Sequence, residues 1–324
     1  MIPRAQIAGI ATHLPERTLT NSELSVEFPD WQVDKIFKKT GIDRRHIADI
    51  TETASDLGII AAQRLLAETN TNPADIDFLL FCTQSPDYFL PTSACIMQAK
   101  LGLSTRCGAL DYNLGCSGFI YGMFLAKSMI ESGQARNVLL VTAETYSKFL
   151  AASDRSVRTI FGDGAAATLF SATEKASGVG HVLLGTDGKG APNLIVENGA
   201  ARAGYRGAVD QLRMNGPEIL EFTMTAVPNN IRALLDRASL TVNEIDYFVL
   251  HQANAFVLSQ LRRKLGVPPE KFCVNMEEYA NTVSSTVPMA LDKASKSGLI
   301  KKGDRLLLCG FGVGYSWGSA IVTW

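Results

Sequence analysis

The feature that most restricts how this chain can fold is an internal duplication. Arg64-Leu-Leu-Ala-Glu-Thr-Asn-Thr-Asn-Pro-Ala-Asp-Ile-Asp-Phe-Leu-Leu and Ala233-Leu-Leu-Asp-Arg-Ala-Ser-Leu-Thr-Val-Asn-Glu-Ile-Asp-Tyr-Phe-Val share one pattern. Each reads as a helix, a short loop, then Ile-Asp leading into an apolar strand, with Ile76 aligned to Ile245. Ser132-Gly133 and Ser297-Gly298 form a second pair, each shortly before a strand, Val138-Leu-Leu-Val or Arg305-Leu-Leu-Leu. Short apolar runs alternating with helical patterns mark the chain as α/β. The two matches together predict a pseudo-twofold fold, with an N-terminal half over 1–172, a C-terminal half over 173–324, and an active site between them. The join is expected within 171–180, where residues are small and polar.

The duplication also relates two chemically suggestive positions. The same seventeen-residue interval separates Cys116 from Gly133 and Asn281 from Gly298. Each is therefore expected at the start of the equivalent helix in its own half, and the two are expected to share one site.

Charge excludes some partners. With 31 basic and 32 acidic side chains the net charge is -1, which gives no sign of a nucleic-acid partner. The apolar runs fall far short of the ~20 residues that span a bilayer, and the first ten residues lack the apolar core of a signal peptide. No membrane association is expected, and the cytoplasm is the default compartment. The six cysteines (82, 95, 107, 116, 273 and 309) show no CxxC spacing, so neither zinc nor a disulfide framework is indicated.

Most of these cysteines read as small buried apolar residues. Cys116 differs through its neighbours, Asp111-Tyr-Asn-Leu-Gly-Cys-Ser-Gly-Phe-Ile. Gly115 and Gly118 permit a tight strand-to-helix turn, which leaves the sulfur at a helix N-terminus. There, unpaired N–H groups and the helix dipole are expected to favour the thiolate, the form that attacks. His251 ends the apolar run Tyr247-Phe-Val-Leu, where α/β proteins place ligands. A buried, hydrogen-bonded structural histidine is the bland alternative. Asn281, read alone, is an ordinary helix cap. Gly310-Phe-Gly-Val-Gly-Tyr-Ser-Trp-Gly-Ser opens no helix and leads into the strand-like end of the chain, so it reads as a hairpin, not as a dinucleotide loop.

In this order and spacing, Thr40-Gly-Ile-Asp-Arg-Arg-His-Ile, Gly115-Cys-Ser-Gly-Phe, Phe161-Gly-Asp-Gly-Ala-Ala, His251-Gln-Ala-Asn, Asn281-Thr and the glycine-rich hairpin resemble the β-ketoacyl-ACP synthase III family. The resemblance runs nearly end to end. It implies a five-layered αβαβα thiolase fold, a homodimer, acyl-CoA and acyl-carrier-protein thioesters as substrates, and no metal or redox cofactor. By it, Cys116 takes the acyl group, and His251 and Asn281 stabilise the enolate formed as malonyl-ACP loses carbon dioxide. The backbone N–H groups of Cys116 and Val313 would form the oxyanion hole.

The resemblance also places Arg155, Met214, Asn254 and Phe311 along the CoA and pantetheine path. The family's adenine-stacking tryptophan aligns with Lys35, and Trp31, four residues earlier, is the candidate in its place. A carrier-docking arginine aligns with Phe256. A phenylalanine that closes the partner subunit's acyl pocket aligns with Leu90. Two other activities fit the same residues: acyl transfer to an alcohol or amine without decarboxylation, and a non-catalytic partner subunit.

Overall fold

The computed structural model describes residues 3–175, 177–197 and 211–324. Residue 176, inside the expected join, lies outside them. The first half supplies strands β1 (Arg4–His13), β2 (Thr18–Thr20), β3 (Arg44–His46), β4 (Phe78–Cys82), β5 (Gly108–Tyr112), β6 (Asn137–Glu144) and β7 (Gly164–Thr173). The rest of the chain supplies β8 (Gly178–Thr186), β9 (Leu194–Ile195), β10 (Arg213–Met214), β11 (Tyr247–Leu250), β12 (Arg305–Gly312) and β13 (Ser316–Thr323). The helices are α1 (Asn21–Glu27), α2 (Val33–Thr40), α3 (Ala54–Glu68), α4 (Ser93–Lys100) and α5 (Gly118–Glu131). They continue with α6 (Arg155–Arg158), α7 (Gly216–Ala238), α8 (Ala255–Leu265) and α9 (Thr286–Lys296).

Two mixed sheets carry the fold, in the orders β1-β7-β6-β4-β5 and β11-β12-β13-β8. Three hydrophobic clusters show how they stack. On one face of the first sheet, Leu57, Ala61 and Leu65 of α3 and Met97 of α4 pack on Leu79, Phe81, Leu139 and Val141. Between the sheets, Phe119, Met123 and Ile130 of α5 and Val287, Leu291 and Ala294 of α9 share one core with strands of both. Beyond the second sheet, Val227, Ile231 and Leu234 of α7 and Leu258 and Leu261 of α8 cover Phe248, Leu250 and Leu307. The layers therefore run helix, sheet, helix, sheet, helix, as the thiolase-like reading of the sequence expected.

Local signals account for the element ends. Thr53 and Asp56 make a reciprocal capping box that starts α3 at the expected place. Gly133 and Gly298 take left-handed φ values of 76° and 73° just past α5 and α9, ending both helices alike. Ile76 and Ile245 are both buried, each following a single 3-10 turn and preceding β4 or β11. The glycine-rich segment forms the β12–β13 hairpin, which pairs antiparallel from Arg305–Thr323 to Gly312–Ser316.

The two central helices begin differently from each other. Cys116 lies two residues before α5. Asn281 lies five residues before α9, with a 3-10 turn over Val283–Ser285 in between. Asn281 therefore caps no helix. Its side chain closes a turn of its own, described below.

Candidate active site

The end of β12 gathers the site. Its neighbour β11 runs parallel to it, and where β11 stops the His251 N–H donates to the Cys309 carbonyl at 2.7 Å. The Phe311 ring meets the His251 imidazole edge-on, with centroids 5.3 Å apart. One residue further, Gly312 lies against the nucleophile. A Cβ there would stand 2.9 Å from the Cys116 Cβ and 3.1 Å from its Sγ. Gly310 is equally confined, since its Cβ would lie 2.6 Å from the Cys116 carbonyl oxygen. The alternating glycines let one strand end carry the histidine's neighbours and cover the cysteine together.

Asn281 enters from the loop before α9. Its backbone bonds both ways with the Ile160–Gly162 segment: N–H to the Ile160 carbonyl at 3.0 Å, and carbonyl from the Gly162 N–H at 3.1 Å. Positive φ at Ala280 (57°) and Val283 (56°) turns the chain sharply on either side. The Asn281 Oδ1 accepts from the Val283 N–H at 2.9 Å, an Asx-type turn that occupies the amide oxygen and leaves the amide nitrogen as the side chain's donor. Val283 packs in one cluster with Cys116, Tyr146, Val157, Phe161, Leu194 and Leu212, with Met214 and Val313 at its edge. Gly312 and Phe311 of β12 thus meet Cys116 and His251 respectively, and Val283 brings the Asn281 loop into the Cys116 cluster. Among the described residues, no other residue accepts from the N–H of Cys116 or of Val313.

The electrostatics correct one expectation. The helix start was expected to lower the Cys116 pKa. Instead burial, with Glu144 nearby, pushes the thiol up to about 12. Cys116 therefore rests as a thiol, in a 6% exposed position. Burial also drives His251 down to about 3, so the imidazole is neutral. Its Nδ1 lies 2.6 Å from the Thr286 hydroxyl.

The outer residues separate into two groups. Arg155 stands 5.0 Å over the Phe28 ring, Arg158 stands 5.6 Å over it, and Trp31 lies 6.4 Å from it, with Asp30 3.7 Å from Arg155. Trp31 and Arg155 therefore meet through Phe28, a residue the sequence reading passed over. Asn254 caps α8 by accepting from the Val257 N–H at 2.9 Å, which gives its side-chain oxygen a structural task. Leu90 stands 83% exposed, apart from the Cys116 cluster of its own chain. Thr286, Glu144, Gln84 and Tyr146 border the site and carry no sequence motif of their own.

Relatives with this arrangement are known. Family models described as 3-oxoacyl-[acyl-carrier-protein] synthase III match residues 110–188 and, for the C-terminal part, residues 235–324. The β-ketoacyl-[acyl-carrier-protein] synthase III of Caldanaerobacter subterraneus subsp. tengcongensis is 38% identical over 99% of this chain and 98% of its own length. The chain belongs to the β-ketoacyl-ACP synthase III family. Among solved members, a 3-oxoacyl-(acyl-carrier-protein) synthase III shares 49% identity and superposes with a TM-score of 0.96 over 99% of this chain and 100% of its own. The Burkholderia xenovorans enzyme shares 37% identity with a TM-score of 0.93, covering 98% and 93%. As a synthase III the protein is an acyltransferase, with the thiolase-like fold of that family. No helix of the described residues is long and apolar enough to cross a membrane.

Proposed function

We propose that this synthase III loads an acyl group from acyl-CoA onto Cys116 and condenses it with malonyl-ACP to give a 3-oxoacyl-ACP. The supporting observation is the packing of Cys116 and His251 against the end of β12, with the Asn281 loop joined to the Cys116 cluster through Val283. In the first half-reaction the Cys116 sulfur attacks the thioester carbonyl. The Cys116–acyl bond forms, the acyl–CoA bond breaks, and the thiol proton leaves with CoA. Two N–H groups, of Cys116 and Val313, receive the charge on the tetrahedral oxygen.

In the second half-reaction the malonyl carboxylate departs as carbon dioxide. Its electron pair is held as an enolate, whose oxygen takes hydrogen bonds from the Asn281 amide nitrogen and the His251 Nε2. The carbanion attacks the acyl-Cys carbonyl, the carbon–sulfur bond breaks, and one proton from solvent restores the thiol. A neutral histidine suits this role, because its Nε2–H donates to the oxygen and, unlike an imidazolium, does not readily give up its proton.

Phe28, Trp31 and Arg155 form the proposed platform for the CoA adenine and its phosphates. Met214 and Phe311 line the pantetheine path toward Cys116, with Asn254 at its side. We further propose a homodimer. Among the described residues strand β5 ends the first sheet with its outer edge unpaired, and Tyr88, Phe89 and Leu90 stand 60%, 82% and 83% exposed. A second copy pairing along β5 satisfies that edge and carries Leu90 into the partner's acyl pocket.

The test is mass spectrometry after incubation with acyl-CoAs of graded chain length, followed by malonyl-ACP. An acyl adduct on Cys116 and release of carbon dioxide with 3-oxoacyl-ACP are expected. An adduct discharged to an alcohol or amine with no carbon dioxide would replace condensation by simple transfer. The absence of any adduct would leave a non-catalytic partner.

A further inference from the structure

Glu144, the last residue of β6, is a carboxyl wholly removed from water, and the proposed chemistry does not use it. Five contacts surround its two oxygens. Oε1 accepts from the Gln84 N–H at 3.1 Å and the Ser284 hydroxyl at 3.3 Å. Oε2 accepts from the Gln84 N–H at 3.0 Å, the Ser85 hydroxyl at 2.9 Å and the Thr83 hydroxyl at 3.3 Å. The hydroxyls have protons to give. Ser85 Oγ already accepts from the Thr145 N–H, and Thr83 Oγ1 from the Ser85 N–H. Each partner is a donor, so the set fits a carboxylate.

The residues so held stand on opposite sides of the nucleophile's turn. Gln84 extends its side chain over Gly115, where a Cβ would lie 2.6 Å from its Oε1. From there its amide accepts from the Tyr146 hydroxyl at 3.1 Å and donates to Asn113 at 3.2 Å. Ser284 lies over Gly118, with its Cβ 3.7 Å from the position a Gly118 side chain would take. It also belongs to the loop that carries Asn281. One carboxylate therefore ties the turn after β4 to the Asn281 loop across the residues that flank Cys116.

We propose that Glu144 is a positioning residue for the nucleophile, its carboxyl gripping both sides of the Cys116 turn and, once ionised, standing as a negative charge near the sulfur. The titratable groups around it are Cys82 on β4, Cys116 before α5 and Tyr146 after β6, and each is held in its neutral form by burial first and by this charge in addition. Burial lifts Glu144 itself to about 8, against the pull of its donors. At any pH where Cys116 ionises, the carboxyl has already lost its proton, so the two charges meet. The grip orders the site, and in alkaline solution the ionised carboxylate opposes a thiolate beside it.

This inference rests on the reading of Cys116 as nucleophile, and the experiment separates the two. Alkylation of Cys116 by iodoacetamide is followed by peptide mass mapping from neutral to alkaline pH in the parent and in Glu144→Gln. The isosteric amide removes the charge. The alkylation midpoint is expected to fall by about one pH unit, which is about tenfold more thiolate at fixed pH. Glu144→Asp keeps the charge and is expected to keep the parental midpoint. A Glu144→Gln midpoint that is unchanged or raised overturns the proposal. If Glu144→Gln does not fold, Thr83→Val with Ser284→Ala takes its place. Loss of two donors loosens the grip on the Cys116 turn, so acyl-adduct formation on Cys116 is expected to slow about tenfold; a parental rate overturns the proposal. A parent protein that forms no acyl adduct on Cys116 is a failure of the functional reading instead.

Discussion

The Thr286 hydroxyl lies 2.6 Å from Nδ1 of His251 and 3.2 Å from the Val283 carbonyl, with a single proton for the two. The shorter contact goes to the imidazole. When the hydroxyl donates there, the ring proton sits on Nε2, the nitrogen that must donate to the malonyl thioester. When it donates to Val283 instead, Nε2 becomes an acceptor and cannot stabilise an enolate oxygen. Thr286 is therefore the group through which the two tautomers exchange, and the proposed decarboxylation requires the one in which it donates to Nδ1.

Replacing Thr286 with valine keeps the volume and removes the hydroxyl. Carbon dioxide release from malonyl-ACP is expected to fall about tenfold, the effect of losing one oriented donor. Acylation of Cys116, which needs no donor from His251, should keep its rate. The two half-reactions are read separately, by carbon dioxide release and by the mass of the acyl-enzyme. Parental decarboxylation in Thr286→Val would remove the tautomer argument.

The neutral state of His251 also has a consequence for stability. Its folded pKa is depressed to about 3, while an unfolded histidine titrates near the ordinary 6.5. Between those values the unfolded chain binds the extra proton, so stability rises with pH through that window and is flat above it. At about pH 5 the penalty relative to neutrality is about 2 kcal/mol. His251→Gln removes the titrating group, and the acid-side loss in melting temperature should shrink by a corresponding amount. An identical slope in both proteins would mean that His251 is not the group responsible.

The layers, the helix-start placement of Cys116 and the strand-end placement of His251 were legible because local patterns and glycine spacing are written along the chain, whereas Asn281, expected at a helix start, lies five residues before α9. The capping box at Thr53 and the hairpin after Gly310 were legible for the same reason. Side-chain alliances across the halves were not. Thr286 meets His251 over thirty-five residues, and Ser284 meets Glu144 over one hundred and forty. Such pairs exist only once the two sheets are stacked. The charge state of Cys116 was misread for a related cause. A helix start is visible in sequence, but burial and a distant carboxylate that outweigh it are not. Phe28 was missed because an aromatic residue three positions before Trp31 carries no periodic signal; only folding lays it under Arg155.

Asn281→Asp isolates the donor. Aspartate can still accept from the Val283 N–H, so the turn should form as before. It presents an anion where the amide nitrogen had faced the substrate, and that charge opposes a developing enolate. Condensation is expected to fall by about a hundredfold or more, the loss typical of an oxyanion donor. Cys116 should still acylate. The measurement is the ratio of acyl-enzyme formed to 3-oxoacyl-ACP released, and a parental ratio would exclude the assigned role.

Phe28 offers a test of the CoA platform that leaves the chemistry alone. Its ring lies under the Arg155 and Arg158 guanidinium groups and beside Trp31. Removing it withdraws about 1 kcal/mol of cation–π support from Arg155 and loosens Trp31. Phe28→Ala is expected to raise KM for acyl-CoA about fivefold, with kcat and KM for malonyl-ACP unchanged. Steady-state kinetics with each substrate varied in turn decide the matter. A rise in KM for malonyl-ACP alone would move the CoA platform elsewhere.

Gly312 gives the most direct test that the end of β12 and the nucleophile share one site. Its φ lies outside the left-handed region, so an alanine fits the backbone and only space opposes it. That space is taken: the new methyl would lie 2.9 Å from the Cys116 Cβ and 3.1 Å from the Sγ, and neither belongs to a side chain free to swing away. Something must move by a few tenths of an ångström, and the nearest atom is the Cβ that carries the sulfur. Overpacking of this kind costs about 1–3 kcal/mol of stability, which a chain with three large cores should survive. A displaced nucleophile is costlier to the chemistry, since a misplacement of about 1 Å can slow a reaction about a hundredfold. Gly312→Ala is therefore expected to remain folded, with a melting temperature lowered by a few degrees, and to acylate about a hundredfold more slowly. The readouts are the melting curve and the rate of adduct formation on Cys116. A folded Gly312→Ala protein that acylates at the parental rate would mean that β12 does not confine the sulfur.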